Sequence, residues 1–504
     1  MSIFSVATRL LGFLYRIVLS WNLSTSSLGA YTIALSVCSV FTTLLCSGIP
    51  LVISRTVASN EINNNHKSSF GTVFSGIIIS LVLSFIVILI TIFAKPLFGY
   101  IFTDSDSYVV LLTLLPFIVS TAIYTSLRGY LWGKEKYFHV SMVELIEQVI
   151  KIVLCIVLFK VLKNAYVYVP GLAISISCIL STVLGYYYFK KAKGKIRPQP
   201  NTFSPLIKTS LPMTLVRFVG SLMTPFISII LPIMLIRGGY SNDQALGLIG
   251  ISMGMVLPLL SVPSTVIGSL SMALIPQLNV LKEQCNYLQL KRQITSSFVF
   301  TLCATIIFVP IFSSMGVPIC EILFNSTKAG EILNAFAWTM VPSGIMMISN
   351  SILNSLGHEK YTFFSYGISS IVLILGVLLL PSYMGINALF LSLGINSLLV
   401  FILNFIKITK IVGINNRTLS NTILLLALSF PITLLCRYSY NFLSFIFPKI
   451  IAIALVCIIS LVSTLILMFA FNIIDIEYFK NLKENLLKKV KINKLRTKKH
   501  HKKV

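Results

Sequence analysis

Apolar runs of membrane-crossing length recur along the whole chain, separated by short polar, charged or glycine- and proline-bearing breaks. They fall at residues 3–21, 28–54, 70–94, 108–132, 141–162, 166–189, 209–236, 246–272, 294–316, 331–356, 361–381, 386–406, 419–439 and 448–472. A helix crosses the bilayer core in about 20 apolar residues. The pattern therefore predicts an all-α polytopic membrane protein of about 14 transmembrane helices, here numbered spans one to fourteen, with no stretch left for a soluble domain. An even count puts both termini on one side. The first run lacks a short apolar core followed by a small-residue cleavage site, so it reads as a retained span and not as a signal peptide.

Composition narrows the class further. Hydrophobic residues make up 56% of the 504 and charged residues 11%, against roughly a quarter charged in an ordinary globular domain. The nine cysteines are scattered, mostly within apolar segments, without paired spacing, which argues against a disulfide framework or zinc site. The five histidines never fall at ligand spacing, leaving no metal candidate. Gly129–Lys134 reads G-x-x-x-G-K, one residue short of a phosphate-binding loop, and Glu135 stands where Ser or Thr would hold magnesium. No catalytic constellation emerges. The chain reads as a non-enzyme with no cofactor beyond a coupling ion, Na+ or H+, and with no nucleic-acid partner.

Charge placement gives an orientation. With cytoplasmic termini, and with residues at span ends counted to the adjoining side, the inward side and tail hold 29 of the 40 Lys and Arg, the outward side holds seven, and Arg9, Arg16, Lys151 and Arg217 lie deeper within spans. The tail supplies 11 of the 29, and 18 against seven remains without it. The positive-inside rule then favours inward termini, and a multi-pass protein of the cell membrane is the expected location.

The chain also repeats itself. "GKEKY" at 133–137 follows span four and "GHEKY" at 357–361 follows span ten, an offset of 224. In the same order, "RLLG" (9–12) resembles "RFVG" (217–220), and "SGIPLVISRTV" (47–57) resembles "IGSLSMALIPQ" (267–277). This suggests two six-helix lobes, residues 1–189 and 209–406, joined by a basic cytoplasmic linker at 190–208. Spans thirteen and fourteen (407–474) and a basic tail (475–504) follow. Repeats with an even number of spans keep one orientation, so the lobes should relate by a pseudo-two-fold axis along the membrane normal, with a cavity between them. In the tail, Phe479, Leu482, Leu486 and Val490 fall at helical spacing opposite many lysines. Two readings stay open there: a helix on the anionic leaflet, or a solvated tail.

An ionisable side chain at membrane depth costs a few kcal/mol and by default faces a wet cavity or a partner. Arg9 and Arg16 are seven apart and share a face of span one, with Gly12 between them. Arg217 opens span seven, the equivalent span of the second half. Arg55 and Arg128 lie near the inner ends of spans two and four, where snorkelling to the interface is the competing account. In span five, Glu144, Glu147, Gln148 and Lys151 form one polar stripe, and Glu147 and Lys151 can pair at i, i+4. That stripe either neutralises itself and glues span five to a neighbour, or it answers the cavity arginines or a coupling ion. Prolines cluster as well, at 50, 212, 225, 232, 258 and 263, and predict bends in spans one, two, seven and eight around a central cleft.

These residues resemble a known family. "SLRGYLWGKEKYFHVSMVELIEQVIKIV" is similar to the span-four to span-five signature of the stage V sporulation protein B and polysaccharide-transport family. "RLLGFLYRI", "SGIPLVISR", "LIPQL" and "ILNSLGHEKY" resemble its other conserved segments. The family belongs to the multidrug/oligosaccharidyl-lipid/polysaccharide (MOP) flippase superfamily. The resemblance implies a MATE-like or lipid II flippase-like fold of fourteen helices in two lobes, with alternating access. It also implies that Arg9 and Arg16 match span-one arginines that meet a lipid pyrophosphate in a cationic cavity. Span eight has no basic residue where lipid II flippases are expected to carry arginine, which points away from lipid II itself as the cargo. The opening is shorter than the family's, so further residues upstream are an expectation.

Three functions follow. The first is a flippase for an isoprenoid-linked saccharide, with substrate contacts from Arg9, Arg16, Arg55, Arg128 and Arg217. The others are a cation-coupled drug exporter of the same fold and a membrane scaffold that recruits a glycan synthase. The sign of the mid-membrane charges separates the first two, because cationic drugs call for acids, whereas pyrophosphate calls for arginine and its planar fork. Here arginines lead. The expected partners are a lipid-linked glycan, anionic lipids at the basic tail and a glycan synthase.

Overall fold

The protein is described by a computed structural model covering residues 2–470 apart from 63–64, 163–165 and 414–415. Every regular element among these residues is helical. Twelve helices are long and apolar enough to cross a membrane. The helical run 242–283 supplies two of them, split at Ser261. Span five (Tyr137–Val161) is not among the twelve; its stripe of Glu144, Glu147 and Lys151 breaks the apolar window. The basic tail lies outside the described residues.

Proline positions explain where the helices break. A proline has no N–H and its ring clashes with the carbonyl four residues earlier. Span two runs Thr25–Cys46 and resumes at Ile49–Ile62, ending its first half four residues before Pro50. Span seven runs Phe203–Ser221 and Met223–Arg237, the first half stopping four before Pro225. Span nine, Tyr287–Ile306 then Phe308–Phe324, stops four before Pro310. Span eight is Asn242–Ile249, a π-helical stretch Gly250–Val256, then Leu257–Leu260 and Val262–Glu283. Pro212 and Pro232 sit inside continuous helix. Span one departs from expectation, because Ser2–Asn22 is one unbroken helix; it has no proline to free a carbonyl.

The two motif copies do not occupy equivalent places. In both turns an N–H reaches back five residues, from Lys136 to Leu131 (2.9 Å) and from His358 to Leu353 (2.9 Å). The residue before it has positive φ, Glu135 at 57° and Gly357 at 78°. This is the paired-bond cap that ends many helices. Counted from the helix ends, Gly133 matches Ser355 and Tyr137 matches Glu359, a register of 222 residues. The lettering repeats at 224, so the shared "G-x-E-K-Y" is shifted by two against the shared geometry.

Contacts group the chain into two compact units. Among the described residues the first holds 2–265, 320–332 and 367–396, and the second 266–319, 333–366 and 397–470. The first unit is centred on Ile49, Val52, Ile53, Val57, Ile77, Leu127, Tyr130 and Phe189. Without side chains at Gly29 and Gly250, spans two and eight come into backbone contact. A Cβ on Gly29 would overlap the Leu246 carbonyl, and one on Gly250 the Thr25 carbonyl; close crossings of this kind suit membrane helices. The linker is docked on span three, with Thr202 Oγ1 and Ser75 Oγ hydrogen-bonded at 2.6 Å. In the second unit, Asn404 Nδ2 donates to Asn350 Oδ1 (2.6 Å) and Ser349 Oγ (3.1 Å), beside a cluster of Phe298, Phe401 and Phe405.

Candidate functional site

Arg16 is half-buried on span one, and its Nη1 donates to the Met253 carbonyl at 3.1 Å. That carbonyl is available for a local reason. In the π-helical stretch, Leu257 N–H reaches Ser252, so the next donor in sequence for Met253 would be residue 258, a proline without an N–H. Arg16 supplies the missing donor. An arginine of span seven plays the matching part in span two: Arg217 Nη1 donates to the Ser47 carbonyl at 3.1 Å, at the break that Pro50 forces. Arg217 is otherwise exposed.

The span-five stripe is divided among three neighbours. Glu144 Oε1 pairs with Arg128 Nη1 of span four at 3.3 Å. Arg128 also lies over the Trp132 ring at 4.7 Å and the Tyr124 ring at 5.9 Å. It is thus held on both sides, by an acid and by aromatic faces, with its Nε buried and unpartnered. Glu147 Oε2 accepts from Ser181 Oγ of span six at 2.9 Å. Lys151 Nζ donates to Gln148 Oε1 at 2.5 Å and sits 4.7 Å from the Tyr15 ring centroid of span one.

The i, i+4 pairing of Glu147 with Lys151 is therefore not formed. The carboxylate has its hydrogen-bond partner on span six and the ammonium has its own one residue closer, at Gln148.

The structure thus brings Arg16, Arg128, Glu144, Glu147, Gln148 and Lys151 together on spans one, four and five of the first unit, with partners on spans six and eight. Arg9 and Arg55 are exposed and make no ion pair among the described residues. Sharing a helical face with Arg16 does not give Arg9 the same burial. Sequence reasoning passed over Tyr15, Tyr124, Trp132, Ser181 and Met253. The Tyr124–Arg128–Trp132 spacing of i, i+4, i+8 was a usable signal, since such residues stack along one helix face. Ser181 and Met253 carried no signal, because their roles depend on which helices meet. No group of three or more His, Cys, Asp or Glu that could hold a metal occurs among the described residues.

With this geometry in place, comparison with known proteins assigns the chain. The profile of the polysaccharide biosynthesis protein family matches residues 1–281, more than half the chain. The chain belongs to that family. Stage V sporulation protein B of Bacillus subtilis is a relative, 27% identical over 346 residues that cover 66% of this chain and 67% of the relative. The lipid II flippase MurJ of Bacillus subtilis is 21% identical over 457 residues, 84% of each chain. Among solved structures, a lipid II flippase MurJ in an inward closed conformation superimposes with a TM-score of 0.72 at 15% identity, covering 94% of this chain and all of the other. An inward-facing MATE-family multidrug resistance transporter of the MOP superfamily gives 0.66 at 14%, covering 81% and 94%. The fold is thus that of the MOP superfamily, and this member of the family is a multi-pass membrane protein.

Proposed function

We propose that this protein is a flippase that moves an isoprenoid-linked saccharide, a precursor of cell wall, spore-cortex peptidoglycan or other polysaccharide, across the cell membrane by alternating access. Family membership and the similarity to two relatives, one of them a lipid II flippase, support the reading. The structural observation that carries it is Arg16: a half-buried guanidinium with no ion pair among the described residues, hydrogen-bonded to the backbone carbonyl of Met253. A doubly charged headgroup leaving water needs preplaced cations to replace its hydration. Arg16 can exchange a neutral carbonyl for phosphate oxygens and gain charge-assisted bonds. Arg128, shared between Glu144 and two rings, is the second cation of the same unit. The reaction makes and breaks no covalent bond, so the role is transport and not catalysis.

In this reading Glu147, held by Ser181 and not by Lys151, is the carboxylate placed to take a coupling H+ or Na+. Termini face the cytoplasm, and a glycan synthase that makes or consumes the carried saccharide is the partner class.

The test is flipping of a fluorescent isoprenoid-pyrophosphate saccharide in proteoliposomes at matched protein density. Arg16→Ala should lower the rate by at least about tenfold, and Arg16→Lys should restore part of it, since lysine offers a point charge without the fork. Full activity from Arg16→Ala would remove the proposed role, and export of cationic dyes dependent on Glu147 would favour a drug exporter.

A further inference from the structure

At the end of span one away from the N-terminus, the first unit contains a pocket of about 600 Å³. It is lined by Ser20, Trp21, Ser24 and Thr25 from the span one–two turn, and by Glu321 and Asn325 from the end of span nine. Its volume falls within the roughly 300–1,000 Å³ of small-molecule sites. Arg16, Arg128 and Lys151 are not among the lining residues, and none of the lining residues is basic.

We propose that this pocket binds the uncharged sugar residues of the carried headgroup. Three observations converge on a polyhydroxylated ligand. Trp21 is 62% exposed, although indole is the side chain with most to gain from cover; its flat face matches the apolar C–H face of a pyranose. Glu321 and Asn325 set a carboxylate and an amide beside it, the groups that accept from and donate to neighbouring hydroxyls. Ser20 donates its hydroxyl hydrogen to the Ile17 carbonyl (2.8 Å) and Ser24 donates its own to the Ser27 hydroxyl (2.9 Å), so Ser20 meets a sugar O–H as an acceptor, while Ser24 Oγ already accepts from Ser27 N–H (3.2 Å). Pyrophosphate finds no cation here. Phosphate and sugar are therefore held at separate places, the phosphate at Arg16 and the sugar at Trp21, five residues further along the same helix.

The inference rests on the saccharide reading of the cargo, and under the proposed orientation the pocket opens to the outer face. A quaternary cation is the rival ligand, because a carboxylate beside an indole also suits one. The surrounding hydroxyls and amide favour the sugar.

The experiment is saturation-transfer NMR on the full chain in lipid nanodiscs, with chitobiose and tetraphenylphosphonium as probes. Wild type should transfer saturation to chitobiose. Trp21→Ala should weaken it by about tenfold, the loss expected when a contact of about 1.4 kcal/mol is removed. Trp21→Phe should recover part of the binding, and Arg16→Ala should leave it unchanged. Absence of transfer in wild type would overturn the proposal and leave Trp21 as an interfacial aromatic. So would an unchanged signal in Trp21→Ala, or displacement of chitobiose by tetraphenylphosphonium. If wild type shows Trp21-dependent sugar binding but flips no isoprenoid-linked saccharide, the flippase reading fails and the pocket stands; if Arg16→Ala flips normally while that binding persists, only the phosphate role of Arg16 is lost.

Discussion

Arg16 Nη1 lies 3.1 Å from the carbonyl of Met253, the acceptor that Pro258 leaves without a backbone donor. An arginine on one span thereby completes the hydrogen bonding of another. The relationship can be tested as a cycle. Arg16→Met should cost about 1–3 kcal/mol of stability, the range for stranding a buried polar group. In a Pro258→Ala background, where residue 258 regains its N–H, the same change should cost clearly less. Equal costs in the two backgrounds, measured by reversible unfolding in detergent, would show that the carbonyl does not need Arg16.

Glu147 and Lys151 have separate partners, so their removal should not be mutually compensating. Glu147→Gln and Lys151→Met should each impair transport, and the double change should be no better than the worse single. Recovery in the double, in a flipping assay with matched folding, would mean that the two charges act as a pair after all.

Arg128 and Glu144 are in contact but partly exposed, at 25% and 40%. A double-mutant cycle of Arg128→Gln with Glu144→Gln should therefore give a coupling of about 1 kcal/mol or less. A Trp132→Leu change should add its own loss of about 0.5–1 kcal/mol through the missing ring contact.

The turns after spans four and ten predict opposite responses to glycine. Glu135 holds φ of 57° with a side chain, and Gly357 holds 78° without one. Glu135→Gly should be neutral to stabilising, and Gly357→Ala should destabilise by about 1 kcal/mol. Thermal unfolding of the two variants checks the pair, and the reverse order would contradict the cap assignment.

Orientation has a direct test. In a cysteine-free background, a membrane-impermeant thiol reagent outside intact cells should label cysteines at Asp104 or Asn242 but not at Lys195 or Lys282. The opposite pattern would invert the topology.

Much of the frame was legible in the chain because spans depend on local composition and breaks on single prolines. Pro50 and Pro225 mark their helix ends four residues upstream in the sequence itself. What stayed hidden were contacts whose logic is tertiary. Nothing local tells Glu147 to choose Ser181 over Lys151, or tells Arg217 that the Ser47 carbonyl will lie within reach. Arg9 shows the limit of periodicity: a shared face is readable from spacing, but the depth of each position in the packed unit is not.

The 222-residue register between the two capped turns carries a consequence for how the duplicated frame divides its labour. Counted back from the helix ends, the counterpart of Arg128 is Asn350; counted forward, those of Glu144, Glu147, Gln148 and Lys151 are Tyr366, Ser369, Ser370 and Leu373. Each of these ionic positions is answered by a neutral one, and where Arg128 meets a carboxylate, Asn350 meets the amide of Asn404. The molecule is therefore electrically lopsided along a track that only one of its copies provides.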